Sequence, residues 1–201
     1  STYGNLANLY RLQNHLDKAE EFYLKSLIID EQLVKDTDNI QARQYLAVTY
    51  KNLGLIFESK GNIDIAEEYY KKCLAQREII VEKDLNIENK RSLSRIYGFL
   101  CLFYKKTRVF INKAEDFCLK DLTLSESILK DTESVHDRRC VAIVYAQLAS
   151  ILKLRGDLDN AEKSLLQCIT LREQVVKATK TIGAYEELAL SYYNIAILRT
   201  P

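Results

Sequence analysis

The side chains best suited to metal binding or nucleophilic attack are two histidines, His15 and His136, and five cysteines, Cys73, Cys101, Cys118, Cys140 and Cys168. Their spacing suits neither task. The histidines lie far apart and no two cysteines form a C-x-x-C pair, whereas a zinc site needs clustered ligands. An odd number of scattered cysteines suits a reducing compartment and argues against a disulfide framework; Cys73, Cys101 and Cys168 read as packing residues. No Ser, Thr or Cys stands in a turn motif with His and Asp nearby, and no Gly-rich loop offers to cradle a phosphate. Glu31, Glu78, Glu126 and Glu173 could form carboxylate pairs for acid–base work. Arg77-Glu78 and Arg172-Glu173 recur at a fixed interval, however, and read as interhelical or surface pairs. The expectation is a chain that is not an enzyme, with no catalytic residue, no cofactor and no metal.

Hydrogen-bonding chemistry is better represented. Asn5, Asn52, Gln147 and Asn194 recur at corresponding places, with Phe99 interrupting the series. A carboxamide both donates and accepts, so a ladder of them holds the backbone of an extended peptide whatever its side chains. Arg11, Lys51, Arg95, Lys105, Lys106 and Lys153 stand beside the ladder, against one acid, Glu58. This local excess predicts an acidic peptide or a chain-terminal carboxylate as the partner.

A repeat positions these residues. Tyr3-Gly-Asn-Leu6-Ala7, Tyr50-Lys-Asn-Leu53-Gly54, Tyr97-Gly-Phe-Leu100-Cys101, Tyr145-Ala-Gln-Leu148-Ala149 and Tyr192-Tyr-Asn-Ile195-Ala196 follow one another at 47, 47, 48 and 47 residues. An Ala-Glu pair follows each of the first four: Ala19-Glu20, Ala66-Glu67, Ala114-Glu115 and Ala161-Glu162. Positions 0, +3, +4 and +7 from each Tyr share one helical face, so Tyr50, Leu53, Gly54 and Phe57 form a buried stripe. The small residue at +4 predicts close approach of a second helix backbone. Gly61-Asn62 and Gly156-Asp157 supply a left-handed C′ residue followed by a capping side chain. Each unit is therefore two antiparallel helices.

The composition agrees. With 201 residues, 47% of them hydrophobic, the chain can bury a sizeable core. A formal charge of +1 gives no basic field for nucleic acid, and no run of 18 apolar residues calls for a membrane. There is no Met, and Pro201 is the only Pro. These features predict an all-helical, cytoplasmic segment cut from a longer polypeptide.

The pattern through Tyr50, Leu53, Gly54, Phe57, Gly61, Ala66, Tyr70 and Cys73 resembles the tetratricopeptide repeat. The departure is length. At the place of the Pro that closes a 34-residue unit stand Glu31, Glu78, Glu126 and Glu173, so the helices run on, to about 20 residues or ~30 Å. The longer units are similar to those of kinesin light chains, whose N-L-A/G, A-E-x-x-Y/F and R-E segments reappear here. The resemblance implies one all-α domain over 1–201, a right-handed α-solenoid of antiparallel helix pairs. Its units are approximately 1–40, 41–87, 88–135 and 136–182, with a partial unit or cap at 183–201.

The resemblance also implies a concave groove lined by the first helices, in which Asn5, Asn52 and Asn194 contact peptide, with Gln147 as a substitute. Lys51, Arg95, Lys105 and Lys153 flank them. The expected function is a protein-interaction module that binds a peptide segment. The alternatives are a peptide-sensing array that controls an attached effector, or a scaffold segment that assembles through its ends. Helix 186–199 is expected to cap the array with a polar outer face. In the longer turn "KKTRVFIN", residues 105–112, Val109 and Phe110 are expected to pack against the adjacent turn.

Overall fold

The computed structural model describes residues 2–107 and 110–199, and these form nine α-helices with no strand. Internal contacts divide the chain into two units, Ser1–Leu93 and Ser94–Pro201. The first holds α1 (Thr2–Leu12), α2 (Leu16–Thr37), α3 (Ile40–Ser59), α4 (Ile63–Lys83) and the opening turns of α5 (Ile87–Thr107). The second holds the rest of α5, then α6 (Ile111–Thr132), α7 (Val135–Leu154), α8 (Leu158–Thr179) and α9 (Ile182–Ala196). With no internal Pro to stop them, α2, α4, α6 and α8 run 22, 21, 22 and 22 residues, as the length of the repeat predicts.

The helix ends follow two rules. Inside a pair, Gly61 and Gly156 take φ of +81°, the left-handed region that frees the chain to reverse. Between pairs the same conformation falls on Asp38, Glu133 and Lys180, none of them glycine. After Asp38 and Glu133 the next helix is capped by a side chain: Asn39 accepts from the Ala42 N–H at 2.7 Å and Ser134 from the Asp137 N–H at 3.0 Å, whereas Thr181, after Lys180, makes no such bond. Asp157 caps α8 by accepting from the Asn160 N–H at 3.2 Å. Asn62, expected to do the same for α4, makes no such bond.

Ala7, Gly54, Cys101 and Ala149 are buried where helices cross. At Gly54 it is a side chain, not backbone, that needs the room: a Cβ there would lie 2.2 Å from Cε1 of Tyr70. The residue three after each signature Ala is also aromatic in the first three units and stacks on the +7 residue of its partner helix. Tyr10 meets Phe22 at 5.5 Å, Phe57 meets Tyr69 at 5.5 Å and Tyr104 meets Phe117 at 5.6 Å, with planes 14°, 7° and 7° apart. A lysine lies over the outer face of each second ring: Lys25 on Phe22, Lys72 on Tyr69 and Lys120 on Phe117.

Successive pairs are tied by the acids of the repeat. The Tyr50, Tyr145 and Tyr192 hydroxyls donate to Glu31, Glu126 and Glu173 at 2.8, 2.5 and 2.6 Å, so these glutamates are interhelical partners rather than acid–base pairs. The Glu of the Ala-Glu signature serves a second tie: Glu20 takes Lys60 at 2.5 Å, Glu115 takes Arg155, and Glu162 takes Arg199 at 2.6 Å.

Burial and the Glu126 carboxylate push the Tyr145 phenol up to about 12, and burial and the Glu31 carboxylate likewise raise Tyr50. An unfolded tyrosine titrates near ~10. Because the folded value is the higher, the stabilisation is complete below pH ~10 and is lost as pH rises through about 12. Tyr145→Phe should therefore be less stable than wild type at neutral pH, with a deficit that shrinks between pH ~10 and ~12. Chemical denaturation at a series of alkaline pH values measures it, and a pH-independent deficit would count against the bond.

The end of the chain departs from expectation. Helix α9 stops at Ala196, buried Leu198 packs behind it, and Ala196 itself is exposed. The outer surface of α9 is apolar rather than polar, with Ile182, Tyr185, Leu190 and Tyr193 more than half exposed. Phe110 packs on its own helix pair, edge-on to Tyr104 at 6.1 Å and under Lys113 at 4.4 Å, while Val109 lies outside the described residues.

Candidate functional site

In the first unit, the one-turn spacing along α1 puts Gly4, Asn5 and Asn8 on one face, and α3 contributes Tyr45, Val48 and Asn52. These faces enclose a cavity of about 340 Å³ whose remaining wall comes from α2. Asn5 and Asn52, predicted from sequence as two rungs of the ladder, thus border one space; Asn5 is exposed and Asn52 half-buried. The floor was not foreseen. Asp30 is 3% exposed, and its Oδ2 accepts from the Ser26 hydroxyl at 3.2 Å and the Thr49 hydroxyl at 2.6 Å. The available signal was polar residues at interior helical positions, where the apolar period calls for Leu or Ile.

In the second unit, Lys153 and Asn194 border a cavity of about 230 Å³ with Ser150, Leu165 and Leu198. Lys153 is already engaged, since its Nζ donates to the Ile197 carbonyl at 3.2 Å beyond the last turn of α9. Gln147 is half-buried, with its Oε1 4.0 Å from the Cys101 Sγ. Phe99 occupies the corresponding place on α5, where Arg95 is exposed and Lys105 half-buried.

The remaining basic candidates divide. In the first unit Arg11 donates to the Asn8 side-chain oxygen from Nε at 3.3 Å and Nη2 at 3.0 Å. Lys51 is half-buried near the Cys73 thiol, which burial pushes up to about 11 against the pull of Arg77 and Lys51. A thiol held that high is a packing group rather than a nucleophile. Contact with Cys101 and burial likewise push Cys118 up, with the Lys105 ammonium opposing. Glu58, the lone acid of this set, accepts from the Tyr70 hydroxyl at 2.8 Å.

Among the described residues no group of three or more His, Cys, Asp or Glu could hold a metal ion, and no helix is long and apolar enough to cross a membrane.

Paired antiparallel helices with small residues at their crossings, repeated at a fixed interval, define a helical-repeat protein. The family is the tetratricopeptide repeat: its profiles match residues 1–79 and 142–175, together more than half of the chain, which belongs to it. Comparison with curated protein sequences gives no match. Solved structures give the fold. BtubC (BKLC) from P. vanneervenii is 19% identical over 96% of this chain and 77% of its own, with a TM-score of 0.63. A putative kinesin light chain of Podosopora anserina with nearly identical TPR-like repeats is 15% identical over 96% and 84%, with a TM-score of 0.67; a point variant of that protein scores 0.66.

Proposed function

We propose that this chain is a non-enzymatic module that binds a peptide segment of another protein along the first helices of its units, as one repeat domain of a longer cytoplasmic protein. Tetratricopeptide repeats generally mediate protein–protein interaction, and such folds are typically not enzymes. The observation that carries the reading is the convergence of Asn5 and Asn52 on a single cavity. Two carboxamides bordering one space offer paired donors and acceptors to a peptide backbone, independent of its side chains. Asn194 and Gln147 would extend the same chemistry in the second unit. An acidic preference would draw on Lys51 of α3 and on Arg95 and Lys105 of α5.

Asn52→Ala should weaken acidic and neutral peptides alike, by about tenfold for the lost backbone contacts. Arg95→Glu should weaken the acidic ones selectively, with a loss that shrinks as salt rises, since exposed charges are screened over ~10 Å at 0.1 M. Titration of both variants with one acidic and one neutral peptide chosen from a peptide array, at low and high salt, is the test. Equal affinities in every combination would move the binding site off this face.

A further inference from the structure

We infer that the cavity between α1, α2 and α3 is an anchor pocket for a cationic side chain, lysine or arginine, of the bound peptide. The inference rests on the peptide-binding reading above and adds the charge of the residue that enters.

Asp30 carries the argument. It is buried, and among the described residues its bonds are those from Ser26 and Thr49, both to Oδ2. Two neutral hydroxyls are thin solvation for a carboxylate removed from water, and no Lys or Arg among the described residues pairs with it. The fold does not require an acid there: the corresponding residues of the other units are Arg77, Ser125 and Arg172. Asp30 is also the one charged residue among those described that lines the cavity.

The Tyr23 hydroxyl is the second, independent sign. Tyr23 is fully buried, lines the same cavity, and its Oη has no hydrogen-bond partner among the described residues. Its counterpart Tyr70 donates to Glu58. In the first unit the residue at the place of Glu58 is Arg11, which has no acceptor to offer; its guanidinium donates to Asn8 and also pulls on the Tyr23 phenol against the larger upward push of burial. The cavity therefore presents an unpaired phenol oxygen and a buried carboxylate behind a rim of Tyr45 and Val48, which are 47% and 43% exposed. An alkyl stem suits that rim and an ammonium or guanidinium suits that floor, the division of a lysine or arginine side chain. Asn5 and Asn52 at the mouth remain available for the backbone on either side.

The test uses the whole chain and a panel of blocked peptides, acetyl-Ser-Gly-Xaa-Gly-Ser-amide, with Xaa as lysine, arginine, norleucine or glutamate. Backbone amide shifts at Asn5, Thr49 and Asn52 report binding. The lysine and arginine peptides should bind about tenfold or more tightly than the norleucine peptide, which has the stem without the charge. Asp30→Asn keeps the shape and both hydroxyl bonds; it should abolish that preference and leave norleucine binding unchanged. Tyr23→Phe removes a hydroxyl that has no hydrogen-bond partner among the described residues, so it should reduce lysine binding without lowering stability. Norleucine and glutamate peptides that bind as well as lysine would overturn the cation pocket and leave the peptide groove standing. A panel that moves none of the three resonances would overturn both. Should Asp30→Asn fail to fold, the lysine-against-norleucine comparison on the wild-type chain decides alone.

Discussion

Gly54→Leu should destabilise the first unit by about 3 kcal/mol or more, and Gly54→Ala by about 1–3 kcal/mol, the range for forcing bulk into a filled core. The glycine faces the Tyr70 ring, and an added Cβ would stand 2.2, 2.4 and 2.9 Å from Cε1, Cδ1 and Cζ. An aromatic ring yields to such a methyl only by moving as a plate. Tyr70 is held at its far end, where the hydroxyl donates to Glu58, and its ring is fully buried. The first helix pair shows the relaxed alternative. There Ala7 and Tyr23 belong to one cluster, both fully buried, and the Tyr23 hydroxyl has no hydrogen-bond partner among the described residues. Releasing the ring should therefore rescue the alanine variant in part: in the background of Glu58→Ala, Gly54→Ala should cost less than it does alone. Urea unfolding of the two single variants and the double measures the coupling. Strict additivity would show that the hydroxyl does not set the position of the ring.

The repeat was legible in the sequence because tyrosine, the small residue and Ala-Glu each answer a constraint that recurs at every helix crossing. Ala-Glu in particular encodes two contacts at once, a buried methyl and an ion pair to a later unit, as in Glu20 with Lys60. The placement of Asn5 and Asn52 beside one cavity was legible for the same reason, since their register against Tyr3 and Tyr50 sets the face they occupy, and their role toward a peptide is the proposal above.

What the repeat hid is what differs between its copies. At positions +7 and +11 after each signature Ala stand Ser26 and Asp30, Cys73 and Arg77, Asp121 and Ser125, Cys168 and Arg172. Averaging over units makes these look like noise. In the structure Asp30, Asp121 and Arg172 are buried, and each finds a local hydroxyl: Thr49 for Asp30, Ser94 and Ser125 for Asp121, Ser191 for Arg172. Gly98 belongs to this arrangement too, since a Cβ there would lie 2.7 Å from an Asp121 carboxylate oxygen. Left-handed Asp38, Glu133 and Lys180 were hidden for a simpler reason: nothing in their residue type announces a positive φ.

The buried arginine among these residues makes the other large prediction. Nη1 of Arg172 on α8 donates to the Ser191 hydroxyl at 2.6 Å and to the Glu187 carbonyl, both on α9. Arg172→Ala removes two charge-assisted bonds and leaves the Glu187 carbonyl with only the weaker bond from the Ser191 hydroxyl at 3.2 Å among its side-chain donors, a loss of about 2–4 kcal/mol. In a repeat array each element leans on its neighbours, so the loss falls on the junction it serves rather than on the whole chain. Beside Arg172 the Cys168 Sγ lies 3.5 Å from the Ser191 Oγ, and the ties from Tyr192 to Glu173, Arg139 to Glu187 and Lys153 to Ile197 are more peripheral. Amide exchange in residues 182–196 should therefore quicken by about 30- to 1,000-fold in Arg172→Ala, while α7 keeps its protection. Arg172→Met, which keeps most of the volume and removes the buried charge, should open α9 far less. Exchange that quickens equally through α7, α8 and α9 would show that the second unit opens as one body. Exchange that does not change would show that Arg172 contributes no more to the junction than the packing around it.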